Sequence, residues 1–294
     1  MRSSIRGFVT ASPVPVPARR PRRWWWRARL LVPAGVVLLV AVAALAAPVI
    51  AQHDPDHIDP TVRVALPSRV YPLGTDEYGR DIASRLVYGA RISMIVSGTS
   101  VAIALSVGTA AGMAAGYFGG VLELVLMRFV DGLLSFPPIL LALFVITFLG
   151  PSLVNVIVVI GLLYIPRFAR IAHGATLSVR ENEYVQAATA IGATHARVMG
   201  RAILPNIAAP LFVQVSLGLG QAILLESGLS FLGLGAPPPA SSWGRMIEQS
   251  SRFMGLSPWP VLWPSIVVSA TVLALNLLGD AMRDALDPRL RGRA

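Results

Sequence analysis

Apolar residues fall in six long stretches, at 30–50, 92–117, 122–149, 153–168, 207–234 and 262–282, and polar residues collect between them. A helix needs ~20 apolar residues to cross a hydrocarbon core ~30 Å thick. Residues 30–50 alone give ~32 Å of helix at 1.5 Å per residue. The pattern therefore predicts an all-α protein with six transmembrane helices. A signal peptide cleaved near Ala44–Ala46 is the competing reading of the first stretch. The long basic region before it and the apolar chain after it argue against cleavage.

The stretches differ in character. The second is rich in small residues, among them Ser97, Gly98, Ser100, Gly108, Gly112 and Gly116. Small residues let helix backbones approach closely in a membrane, so this helix is expected inside the bundle. The third would make ~42 Å of helix, more than the core requires. Its excess would bring Arg128 and Asp131 to the inner surface, three residues apart on one face. Pro137–Pro138 then kinks or interrupts it. The fourth is expected to end at Pro166, and Arg167 and Arg170 follow. The fifth contains Glu226, with Gly228, Gly233 and Gly235 weakening the helix beyond. The sixth holds Asn276 and Asp280 near its inner end. Glu226 and Asn276 are polar within spans, which makes them candidates for a pathway or for the bundle interior.

Charge assigns the sides. Residues 1–29 hold eight Arg, no acid and four Pro (Pro13, Pro15, Pro17, Pro21), the composition of a disordered tail. Trp24, Trp25 and Trp26 suit the headgroup level. Residues 52–90 carry six acids and four Arg. Arg167, Arg170, Arg180, Arg197 and Arg201 follow the fourth stretch, and Arg283, Arg289, Arg291 and Arg293 close the chain. Basic loops stay inside, so both termini are expected in the cytoplasm. The divisions expected are a cytoplasmic tail (1–29), a first transmembrane helix (30–51), an extracytoplasmic loop (52–90), a core of five transmembrane helices (91–285) and a cytoplasmic tail (286–294). Within the core lie a cytoplasmic loop (171–206) and an extracytoplasmic loop (236–261), where Trp243, Trp259 and Trp263 suit an interface. In the first outer loop, Thr75 or Asp76 is expected to cap a helix. Asp76, Glu77 and Asp81 are expected to pair with Arg80 and Arg85 rather than hold a metal. His53 and His57, with Asp54 and Asp56, read as a solvated loop.

Composition excludes several classes. The chain is 54% hydrophobic and 14% charged, against about a quarter charged in soluble domains. Its net charge of +10 comes entirely from Arg. Those Arg lie beside spans, which argues for membrane orientation and against nucleic-acid binding. There is no Cys, so disulfides and thiolate metal sites are excluded. There is no Lys either, so no phosphate loop ending in Lys exists. No nucleophile–base grouping stands out, and the chain is not expected to be an enzyme.

The most informative polar stretch is 184–206, YVQAATAIGATHARVMGRAILPN. Ala187 and Ala188 leave a shallow helix face. Gly192 permits a left-handed turn between two helices, and Leu204–Pro205 is expected to stop the second. The segment reads as two short cytoplasmic helices offered to a partner's groove.

Five stretches together carry a resemblance: LGTDEYGRDIASRLVYGARIS (73–93), DGLLSFPPILLAL (131–143), 184–206, ESGLSFLGLGAPPPASSWGRMI (226–247) and NLLGDAMRDALDPRL (276–290). Over nearly its whole length the chain resembles the second permease subunit of a dipeptide/oligopeptide/nickel-type ABC importer. That family's ATPase-docking signature is Glu-Ala-Ala, three residues, Gly, nine residues, Ile, one residue, Leu-Pro. Here Gln186, Ala187, Ala188, Gly192, Ala202, Leu204 and Pro205 keep the spacing, with Gln186 for Glu and Ala202 for Ile. The resemblance implies an ABC importer type I permease fold in the bacterial cytoplasmic membrane. It implies ATPase-coupling roles for Tyr184, Gln186, Ala187, Ala188, Gly192, Ala193, Leu204 and Pro205. It implies a second homologous permease, two ATPase domains that bind ATP and Mg2+, and an extracytoplasmic binding protein landing on the outer loops. No cofactor is expected on this chain. Di- and oligopeptides are the cargo favoured, although in this family the binding protein sets specificity. A self-contained secondary transporter is the alternative. It would need no docking loop and should show internal repeats.

Overall fold

The computed structural model describes residues 23–286. The expectations for 1–22 and 287–294, and for the side chains of Trp24, Trp25 and Trp26, lie outside the described residues. In chain order the helices are α1 (Arg23–Leu45), α2 (Ala47–Ile50), α3 (Ile82–Phe118), α4 (Gly120–Leu134), α5 (Pro138–Leu149), α6 (Leu153–Arg180), α7 (Glu183–Ala190), α8 (His195–Arg197), α9 (Leu204–Phe231), α10 (Trp243–Ser251) and α11 (Trp259–Leu286). A 3-10 turn spans Pro60–Val62, and a π-helical stretch, Val198–Ile203, joins α8 to α9. Among the described residues the β-structure is one isolated bridge, Thr75 to Asp81.

Among the described residues four helical runs have the length and apolar character of membrane spans: α3, α6, α11 and the continuous run His195–Phe231 that ends as α9. α4 and α5 qualify together as one span bent by 90°. The apolar part of α1, Arg29–Leu45, falls just short of that length. The third apolar stretch is thus interrupted rather than straight. The break falls at 135–137, where Pro137 takes an extended conformation (ψ 123°) and α5 restarts with Pro138 at its first position.

The largest interface joins α3 to α6, and the sequence explains it. Gly108, Gly112 and Gly116 recur every four residues, which places them on one face of α3. A Cβ at Gly108 would lie 2.6 Å from the Ile165 carbonyl oxygen, one at Gly112 would enter the Ala169 carbonyl, and one at Gly116 would lie 2.9 Å from Thr176 Cβ. The backbones touch because no side chain separates them. One core cluster gathers Val101, Ala104, Ile146, Ile160, Phe168 and Leu229 from α3, α5, α6 and α9. A second surrounds Trp243, with Ala44, Ile82, Ile223, Val272 and Leu275.

Three helix boundaries differ from the sequence expectation. Asp81, not Thr75 or Asp76, caps α3: its carboxylate accepts from the Ala83 and Ser84 backbone N–H groups. The Thr75 hydroxyl instead accepts from Ala65 N at 2.8 Å and donates to the Val62 carbonyl. Pro166 does not end α6, which continues to Arg180. A buried proline costs a helix one hydrogen bond, and packed neighbours tolerate that loss. Pro205 does not stop a helix either. The ring of a helical proline crowds the carbonyl four residues back. Here the preceding six residues widen to π geometry, and the chain runs on into α9.

Candidate functional site

At one end of the bundle, residues 181–204 cross from α6 to α9 and form a small platform. α7 is seated by Val185, which is fully buried, and by Ala188, which is half-buried. Tyr184, Gln186 and Ala187 face outward. The Gln186 side chain turns back to donate to the Glu181 carbonyl at 3.2 Å. Tyr184, Ala187 and Ile191 follow one another at helical spacing, so they form a single bare stripe. Ile191 is 85% exposed. Sequence reading missed this residue, although its place three after Ala188 was visible.

The turn after α7 is a Schellman motif. The Gly192 N–H donates to Thr189 O at 3.0 Å, and the Ala193 N–H to Ala188 O at 3.1 Å. Gly192 sits at φ +81° with open space around it, so the left-handed backbone alone demands glycine there. Ala193 packs with Ala188 against the core. Thr194 then caps α8, accepting from Arg197 N at 3.4 Å. Leu204 and Pro205 lie at the start of α9.

The platform is braced by the ends of α3 and α6. The Tyr117 hydroxyl and His195 Nδ1 are 2.9 Å apart. Arg180 donates to the Gly116 carbonyl at 2.9 Å. Nearby, His173 Nε2 meets Glu123 at 2.8 Å, and Arg170 pairs with Asp131. Asp131 therefore pairs across to α6 and not with Arg128 on its own helix.

At the opposite end the two long loops are joined by a buried polar network. Asp76, Glu77, Asp81 and Arg85 are all at most 2% exposed. Arg85 pairs with Asp76, donates to Ser241 at 3.0 and 3.1 Å, and donates to Gln249 at 3.1 Å. Arg80 holds Asp76 at 2.8 Å and Gln249 at 3.1 Å. Ser250 donates to Glu77 at 2.9 Å. In the same two loops Leu66, Val70, Met254 and Leu256 are bare.

The two polar residues within spans lie apart in role. Glu226 is fully buried, accepting from Ser230 at 2.8 Å and from Ser93 of α3 at 3.2 Å. Asn276 of α11 is half-buried, its side-chain oxygen facing Gly220 of α9. Both sit at helix contacts. Gly220 lies six residues before Glu226, ~9 Å along the helix.

Comparison with known proteins agrees with this architecture. Residues 108–292 match the family model of the binding-protein-dependent transport system inner membrane component. A dipeptide transport system permease protein of Alkalihalophilus pseudofirmus is 40% identical over 87% of this chain and 85% of its own length. A glutathione transport system permease protein of Pectobacterium atrosepticum is 39% identical over 95% of this chain and 93% of its own. A solved structure of the MetNI methionine ABC transporter, inward facing, shares the fold with a TM-score of 0.57, covering 69% of this chain and 96% of that one at 19% identity. The chain therefore belongs to the family of inner membrane components of binding-protein-dependent transport systems, multi-pass permease subunits of the bacterial cytoplasmic membrane that do not themselves hydrolyse ATP.

Proposed function

We propose that this chain is one of two homologous permease subunits of an ATP-driven peptide importer, and that the 181–204 platform is the seat of an ATPase domain. The observation that carries the docking reading is the bare stripe of Tyr184, Ala187 and Ile191, held rigid by the turn at Gly192. An amphipathic helix laid into a partner's groove is a recurring mode of recognition. The small side chain of Ala187 lets a partner approach the helix closely. Gln186, Ala188, Ala193, Leu204 and Pro205 shape this element rather than contact the partner.

Peptide cargo is supported by relatives named for dipeptide and glutathione transport. ATP and Mg2+ belong to two partner ATPase domains, which close on nucleotide and displace the platform. α6 and α9 leave the platform directly, so its displacement tilts them and biases the bundle between outward and inward access. The bare apolar residues of the two outer loops, Leu66, Val70, Met254 and Leu256, are the landing surface for an extracytoplasmic binding protein. Arg-rich segments at the platform end argue that it faces the cytoplasm. Glu226 and Asn276 serve the bundle interior in this reading, tying α9 to α3 and α11.

The test is substitution of a residue whose side chain the chain leaves almost wholly exposed. Ile191→Asp introduces a charge at an 85% exposed site and leaves the fold intact. Partner ATPases are expected to co-purify about tenfold less well, the loss of an anchor of roughly 1.4 kcal/mol. Wild-type recovery of ATPases with this variant would rule the docking reading out.

A further inference from the structure

The platform has a third attachment that the lever scheme above does not use. His195 opens the helical run that becomes α9. Its ring lies against both Tyr117 and Phe118, the last two residues of α3, at 5.6 and 5.4 Å in edge-to-face geometry. The Tyr117 hydroxyl bonds His195 Nδ1 at 2.9 Å. Phe118 is 50% exposed and His195 is exposed, while Tyr117 is half-buried at the margin of the first core cluster. The two exposed rings, Phe118 and His195, stabilise the fold little by burial.

α3 suits the transmission of force. It has 37 residues, and among the four long membrane runs it is the one without an internal proline. At 1.5 Å per residue it is ~55 Å long. Its far end is fixed. Arg85 is bonded to Asp76, Ser241 and Gln249, and Trp243 Nε1 donates to the Leu86 carbonyl at 2.9 Å. The same helix thus ends at the platform and at the outer loop network. Besides the clasp, α3 meets the platform through the Arg180–Gly116 bond and through its packing against α6 and α9.

We propose that Tyr117, Phe118 and His195 form a clasp that makes α3 a second lever, carrying platform movement directly to the network that joins the loops of the proposed binding-protein surface. This rests on the docking reading above. Tyr117 and His195 are positioning residues: they touch neither nucleotide nor cargo. The clasp sets the exchange between the two ends, so its loss separates basal from stimulated hydrolysis.

The experiment uses the full transporter in proteoliposomes, with its binding protein and a dipeptide. Tyr117→Phe keeps the ring and removes the hydroxyl; His195→Ala removes the partner ring. ATPase co-purification and basal ATP hydrolysis of Tyr117→Phe, which lies outside the platform, are expected to match the wild type. The ratio of stimulated to basal hydrolysis is expected to fall about tenfold for His195→Ala, the scale of a coupling between distant sites. The double variant should be no worse than His195→Ala alone, since the two residues act as a pair. Unchanged stimulation, or losses that simply add in the double variant, overturns the proposal. Loss of ATPase binding in His195→Ala also overturns it, because the ring would then be part of the docking surface. The docking reading fails separately, when Ile191→Asp retains its ATPases.

Discussion

Two residues in this chain are fixed by backbone or by charge so strictly that single substitutions discriminate their roles. Gly192 holds φ +81° with nothing within 4 Å of where a Cβ would stand. The penalty for another residue is therefore conformational, not steric, and it falls on the turn alone. Gly192→Val should cost on the order of 1–3 kcal/mol at that turn, reorient the Tyr184–Ile191 stripe and abolish ATPase co-purification. Gly192→Asn should retain most of it, because Asn tolerates the left-handed region. Equal loss in both variants would show that the turn is not what glycine supplies. Arg85 is the second case. Arg85→Met leaves Asp76 and Ser241 short of a buried partner. Breaking a buried pair costs about 3–5 kcal/mol, and Arg80 remains on Asp76, so the loss should lie near the lower figure. Arg85→Lys should restore little, since an ammonium cannot span Asp76, Ser241 and Gln249 as a planar guanidinium does. Thermal unfolding of the detergent-purified chain measures both.

At the scale of elements, the sequence was most legible where geometry is local or periodic. The small-residue repeat in 92–117 announced a close helix contact, and Gly108, Gly112 and Gly116 make it against α6. Gly112→Leu should separate that pair, because its side chain would enter the Ala169 carbonyl. A loss of folded protein from detergent extracts, with membrane targeting retained, is the expected result, read by size-exclusion recovery. The turn at Gly192 was legible for the same local reason. Prolines misled. Pro166 and Pro205 look like stops, but buried helices and a π-helical turn absorb them. Partners distant in sequence were illegible: Tyr117 meets His195 78 positions away, and Arg85 meets Ser241 156 away. The acid–Arg pairing in 73–93 was foreseen as local, whereas its main consequence is to join the two outer loops. By spacing, Arg128 and Asp131 share one helix face, which is all that a sequence displays; in the structure Asp131 pairs with Arg170 of α6 instead.

For the whole molecule, the decisive question is which end faces which side. The structure has two unlike ends: the platform at 181–204, and the joined outer loops at 52–81 and 232–258. The Arg distribution argues for the platform on the inside. The absence of cysteine from the natural sequence makes this directly measurable, because any single introduced thiol reports alone. Ile191 and Leu256 are 85% and 75% exposed, so a cysteine at either disturbs no packing. In intact cells, a membrane-impermeant maleimide should label Leu256→Cys and leave Ile191→Cys unlabelled. Permeabilisation should expose Ile191→Cys. Co-expression of the partner ATPases should then protect that thiol, while leaving the reactivity of Leu256→Cys unchanged. The binding protein, added outside with peptide, should do the converse. Labelling of Ile191→Cys in intact cells would invert the orientation and remove the ATPase seat from the only compartment that holds ATP. Labelling only after permeabilisation, without protection by the ATPases, would leave the orientation standing and reject the stripe as their contact. The two thiols therefore separate the membrane orientation of the chain from the identity of the partner at each end.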